Sequence, residues 1–199
     1  SKSHRVQRFA PDGEYLGGFG SHGSNPGEFE LPWGVHVDEL GDIYVADWGN
    51  NRFQIFSSEG TLKNVIGQEG SGDGEFNRPT GVAVDAHGDI YVADWGNDRV
   101  QMFNSEGQYI WSFRGEASLS KVARQYMMTN AVPNRLREMG KLEQEKYLRR
   151  PRSVRVDSDF RLFIPDYESY RVQIYQKDVI ELDETQFAAP LRNPTLEVT

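Results

Sequence analysis

Apolar residues in this chain fall into short runs parted by turn residues, and the runs recur at a fixed distance. In residues 74–114 they read GVAVD, DIYVAD, RVQMF and YIWSF, separated by AHG, WGND and NSEG. Runs this short, rich in β-branched and aromatic residues and bounded by Gly, Asn, Asp and Ser, predict β-strands joined by tight turns. Within them Ile90, Tyr91, Val92 and Ala93 do not alternate with polar residues, which predicts a strand covered on both faces.

The run DIYVADWGNNRFQ starts at Asp42 and DIYVADWGNDRVQ at Asp89, a period of 47 residues. The match extends outward, from GEFELPWGVHVDELG at Gly27 and GEFNRPTGVAVDAHG at Gly74. RVQRFAPDG at 5–13 matches RVQMFNSEG at 99–107, again two periods of 47 apart. RPRSVRVDSDFRLFIPDYESYRVQIY at 150–175 matches from Arg78, now offset by 72, so 25 additional residues interrupt the repeat. Four strands every 40–50 residues are the signature of a propeller blade. The expected fold class is therefore all-β: a β-propeller of four-stranded blades, a partial or oligomer-completed ring, with a helical insertion. No helix is expected in 42–56 or 89–103.

Residues 1–26 read as the back half of a blade, 27–73 and 74–114 as full blades, and 115–150 as a basic helical insertion. Residues 151–183 read as a degenerate blade and 184–199 as an extended tail. With strands lettered a to d from the centre outward, the chain supplies c–d, a–d, a–d and a–b–c, with DVIELD at 178–183 as a last d strand. Joining the two ends gives three blades, fewer than propellers use. The ledger implies a piece of a longer propeller or a ring completed by a second copy.

The pattern P-x-G-V-A-V-D…G-D-I-Y-V-A-D-x-G-N-x-R-V-Q-x-F resembles the NHL repeat, closely over 27–115 and more loosely over 150–175. The resemblance implies a propeller of six or a similar number of blades. The third copy departs from it: Ser153 and Phe160 replace glycines, Pro165 replaces alanine, and YESY replaces WGND.

The net charge of −8 is uneven, with nine basic against three acidic residues between Ser118 and Arg152. The acidic remainder disfavours nucleic acid as a partner. Cysteine is absent, which removes thiolate chemistry. No apolar run is long enough for a membrane span, and SKSHRVQRFA has no signal-peptide core, so the compartment stays open.

Asp47 and Arg52, Asp94 and Arg99, and Asp166 and Arg171 recur at one spacing around a turn. Recurrence in every blade predicts structural hairpin clamps rather than catalytic carboxylates, which need an asymmetric environment. Trp48, Trp95 and Tyr167 sit in the b–c turns and outline a ligand-binding face, with the alternative that each ring shields a neighbouring turn. His36 shares its position with Ala83 and Arg155, a tolerance that predicts a channel-facing site. It is the one metal candidate considered, but a single imidazole falls short of a zinc set. His4, His22 and His87 are expected in solvated loops. In the insertion, Lys121, Arg124, Arg135, Arg137 and Lys141 form a candidate partner-docking arm or lid, against which stands an accessory helical pair on the rim. No catalytic residue and no cofactor is expected.

The leading reading is a non-catalytic scaffold that binds a protein or another ligand. A metal-dependent lyase or lactonase using the channel is the alternative, as the resemblance to NHL-like amidating lyases implies. RNA binding is a third.

Overall fold

The structure, a computed structural model, describes residues 3–115 and 147–177. A hairpin of β1 (Val6–Phe9) and β2 (Tyr15–Phe19) is followed by two four-stranded meanders. The first comprises β3 (Pro32–Val37), β4 (Ile43–Asp47), β5 (Arg52–Phe56) and β6 (Leu62–Ile66). The second comprises β7 (Pro79–Val84), β8 (Ile90–Asp94), β9 (Arg99–Phe103) and β10 (Tyr109–Phe113). A three-stranded sheet of β11 (Arg155–Val156), β12 (Arg161–Asp166) and β13 (Arg171–Gln176) completes the described strands. All of these ladders are antiparallel. Among the described residues no helix is long and apolar enough to cross a membrane.

The turns follow from local chemistry. At each a–b turn an aspartate caps the chain: Asp38 Oδ1 accepts from the Leu40 and Asp42 amides, and Asp85 and Asp157 repeat the arrangement. The b–c connections differ from the expectation of helix-free hairpins. Each is one 3-10 turn, Trp48–Asn50, Trp95–Asn97 and Tyr167–Ser169, ended by a left-handed residue. Asn51, Asp98 and Tyr170 hold those positions with φ of 53°, 54° and 52°. Asn and Asp tolerate that region through local hydrogen bonding, whereas a tyrosine there is more strained.

The core lies between sheets. One cluster joins Tyr44, Phe53 and Ile55 to Val82, Val84, Ile90, Val92 and Phe103 of the next sheet. A second joins Ala83, Tyr91, Ala93 and Val100 to Leu148, Val154, Leu162 and Ile164. β8 thus sends Ile90 and Val92 to one neighbour and Tyr91 and Ala93 to the other, which is why its sequence is apolar without alternation. β3, β7 and β11 lie side by side. Their approach depends on glycine: a Cβ on Gly34 would meet the Thr80 carbonyl at 2.6 Å, and one on Gly81 would meet Ser153 Cα at 2.9 Å. Ser153 replaces the glycine where no described strand follows.

The chain re-enters the repeat earlier than residue 151. Leu148 is buried and its amide donates to the Arg114 carbonyl, as Phe76 donates to Gln68 and Phe29 to Ser21. A bridge between Gly115 and Tyr147 closes the stem of the interruption. The expectations for the insertion and for DVIELD fall on 116–146 and 178–183, outside the described residues. Two departures of the third sheet have local reasons. Phe160 takes a glycine position at φ 56° and stacks on His87, with ring centres 4.6 Å apart. Pro165 pairs with Val172, while β11 is too short to reach its other side, so the missing amide hydrogen is not needed.

Candidate functional site

The Asp–Arg pairs lie at one end of the sheets and do more than bridge a hairpin. Asp47 Oδ2 accepts from Arg52 Nε at 2.9 Å, Asn50 Nδ2 at 2.9 Å and Gln54 Nε2 at 3.2 Å, while Oδ1 accepts from the Glu30 amide at 2.8 Å. The other ends of those side chains reach the loop that enters the sheet. Arg52 donates to the carbonyls of Ser24, Asn25 and Glu28, Gln54 to Glu28, and Asn50 to Gly23. Asp94, Asn97, Arg99 and Gln101 repeat this on the loop 70–77. Asp166, Arg171 and Gln173 repeat part of it, with Arg171 donating to the Tyr147 carbonyl. The sequence pattern exposed the Asp–Arg pairs. It did not single out the glutamines and asparagines, although Gln54, Gln101 and Gln173 recur at the same spacing.

Burial pushes the Asp47 and Asp94 carboxyls up, against the hydrogen bonds that favour their charged forms. Both are inaccessible to solvent, as is Arg99. Each carboxylate is saturated by fixed donors and closed to an incoming substrate, so the raised values reflect burial in a latch.

Beside the latches runs a row of stacked cations and rings. Arg78 lies over Trp48 at 4.9 Å, Arg150 over Trp95 at 4.6 Å, and Arg152 over Tyr167 at 3.4 Å. The first two stacks cross from one sheet to the next. Their arginines stand left-handed just ahead of the following sheet, with φ of 59° and 55°. Their amides are fixed by Asn51 Oδ1 and Asp98 Oδ1, each at 2.8 Å. Trp33 packs 6.5 Å from Trp48 and leaves 61% of its surface exposed. Arg150 also pairs with Glu168 at 3.1 Å. Sequence reasoning named Trp48, Trp95 and Tyr167 but missed Trp33, in the neighbouring strand, and the arginines, which lie 30, 55 and 15 residues from the rings they cover.

His36 is half-buried. Its strand position faces the seam toward the next sheet, where Ala83 is buried and Val84 offers its backbone to the imidazole. Burial, followed by the Arg155 charge, holds His36 below the ordinary histidine value, against Asp38. The grouped metal-type donors among the described residues are His4, His22 and Glu30, without His36. His4 also differs from the solvated expectation, whereas His87 is exposed as expected. His4 is half-buried and hydrogen-bonded to the 29–31 backbone, and His87 stacks on Phe160.

This fold is a β-propeller. A family model described as a 6-bladed beta-propeller matches residues 35–128. No curated protein matches the chain in sequence. Among solved structures, a streptogramin B lyase superposes with TM-score 0.53 at 15% identity, covering 88% of this chain and 49% of that one. Virginiamycin B lyase from Staphylococcus aureus, solved with quinupristin, gives 0.51 at 12%, covering 90% and 50%. A protein of unknown function from Bacteroides thetaiotaomicron gives 0.58 at 15%, covering 87% and 42%. The chain therefore spans about half the length of these propellers.

Proposed function

We propose that this propeller segment is a non-catalytic scaffold of NHL type that docks a protein partner on the face formed by the b–c turns. One observation carries the reading: three arginines stacked on aromatic rings line that face of an otherwise acidic chain. A guanidinium resting on a ring can offer its N–H edge to a carboxylate while losing little freedom on binding, and Arg150 would exchange its Glu168 partner for one on a bound peptide. The partner chemistry that fits is an acidic peptide segment carrying apolar residues for Trp33 and Tyr167. The basic insertion, whose stem at Gly115 and Tyr147 joins the third sheet, is assigned to the same docking role through Lys121, Arg124, Arg135, Arg137 and Lys141. Further blades or a second copy are the other partners, completing the ring.

Titration with a glutamate-rich peptide, a neutral oligosaccharide and an RNA oligomer, followed by tryptophan fluorescence, tests the reading. Saturable binding of the acidic peptide, weakened in Arg78→Ala and Arg150→Ala, is expected. Saturation by the oligosaccharide or the RNA alone overturns it.

A further inference from the structure

We propose that His4, His22 and Glu30 form a binding site for a divalent cation of the zinc class at the seam between the β1–β2 hairpin and the first four-stranded sheet. The inference is independent of the docking reading.

The three side chains come from separate parts of the repeat: His4 from the turn before β1, His22 from the loop after β2, and Glu30 from the approach to β3. Their donor atoms all lie within 4.8 Å of one another. His22 Nε2 and Glu30 Oε2 are 2.5 Å apart, and the two imidazoles meet edge to face with centres separated by 4.4 Å. A tetrahedral zinc ion with bonds near 2.0–2.2 Å holds its ligands roughly 3.3 Å apart. His22 and Glu30 reach that spacing by opening slightly and His4 by closing inward, all through side-chain rotation.

The backbone around His4 accommodates either tautomer. His4 Nδ1 lies 3.2 Å from the Phe29 carbonyl oxygen and 3.1 Å from the Leu31 amide nitrogen. In one tautomer Nδ1 accepts from the Leu31 amide; in the other it carries the proton, donates to the Phe29 carbonyl and leaves Nε2 as the ligand, the arrangement an ion would select. Glu30 is held from behind, its amide on Asp47 and its carbonyl accepting from the Gly49 amide.

The repeat provides an internal control. One period later the same three positions carry Asn51, Glu69 and Asn77. There Asn51 Oδ1 accepts from the Arg78 amide, the task that His4 performs for the Leu31 amide when no ion is bound. An asparagine therefore fills the backbone role at this position without an imidazole. The first seam alone adds two imidazoles and a carboxylate. Three protein ligands leave a fourth position open, and His22 is exposed enough to admit an ion.

The test rewrites the first seam as the second with His4→Asn, His22→Glu and Glu30→Asn, using residues the fold already accommodates. After chelator treatment, the unmodified chain is expected to bind one Zn2+ by calorimetry with affinity on the order of micromolar or tighter. Co2+ substitution is expected to give the visible absorption of a four-coordinate site. The rewritten chain should lose more than about 100-fold in affinity, beyond what loss of a supporting outer residue causes. His22→Gln, a change at an exposed side chain, should lose affinity in the same direction if the triple variant fails to fold. Unchanged Zn2+ affinity in either folded variant, no stoichiometric binding by the unmodified chain, or loss of binding only in His36→Ala overturns the proposal.

Discussion

The guanidinium of Arg78 rests 4.9 Å above the Trp48 indole, and the same residue's amide is held by Asn51 three positions beyond that ring. One residue thus contacts both the ring and the left-handed end of the preceding b–c turn. Arg150 repeats the relationship with Trp95 and Asp98 across the 72-residue offset, so the return from the insertion preserves it. Seams between blades are therefore held twice, by buried apolar clusters inside and by a cation on a ring at the surface.

Arg78→Ala is expected to shift Trp48 emission and to lower stability by about 0.5–1 kcal/mol, the range for an exposed cation–π pair. Arg78→Lys should recover part of the stability but not the peptide binding, because an ammonium lacks the planar fork. Denaturant unfolding and peptide titration on the same variants separate the two effects.

Asp94→Ala is expected to cost about 3–5 kcal/mol, since it strands a fully buried Arg99. Asp166→Ala should cost less, because the Arg171 side chain is 34% exposed and water can replace the carboxylate. Paired removal of Asp94 and Arg99 in favour of Leu and Met should recover only part of the loss, because the Asn77 amide and the Gly72 carbonyl also lose their partners. Chemical denaturation of the three variants checks the order.

Alkaline pH should weaken the fold at identifiable groups. Burial, then the charges and hydrogen bonds of Asp38 and Asp85, push the Tyr44 and Tyr91 hydroxyls well above the ordinary tyrosine range. Lys177 is raised too: burial acts to lower it, but hydrogen bonds to Asp85 and Asp89 at 2.7 and 2.6 Å outweigh that. For groups whose folded values are raised, the stabilisation is complete below the unfolded value and fades as pH rises through the folded one. Stability is therefore expected to fall above about pH 10, where unfolded tyrosine and lysine titrate. Tyr91→Phe should remove one high-pH step from the tyrosinate absorbance titration, and Lys177→Met should shift the alkaline unfolding midpoint.

The open ends should associate. Trp33, Val35 and Val37 are exposed on β3, and Val172 and Ile174 on β13. Apolar faces exposed among the described residues in this way bind further strands or blades. Sedimentation of the isolated chain is expected to give a mass above the monomer, reduced toward it by Val35→Lys with Val172→Lys. A monomer at micromolar concentration rules out this association.

Much of the blade was readable from the sequence. The 47-residue period located β3–β6 and β7–β10, because four runs between obligatory turns leave little choice of connection. The Asp–Arg spacing was equally plain, since its partners sit five residues apart across one turn. The row of cations was not, because Arg78 and Trp48 are 30 residues apart and meet only when one sheet stacks on the next. For the same reason the sequence did not show that His36 lies half-buried beside the Val84 backbone of the next sheet.

The sequence by itself determined strands, turns and repeat order, all of which depend on contacts between near neighbours in the chain. Only the tertiary structure decided which surfaces meet at the seams. The period carries nearly identical residues through each copy, but the twist and stacking of whole sheets choose their partners. That is how His4, His22 and Glu30, unremarked as a pattern in one dimension, come to lie within 4.8 Å of one another.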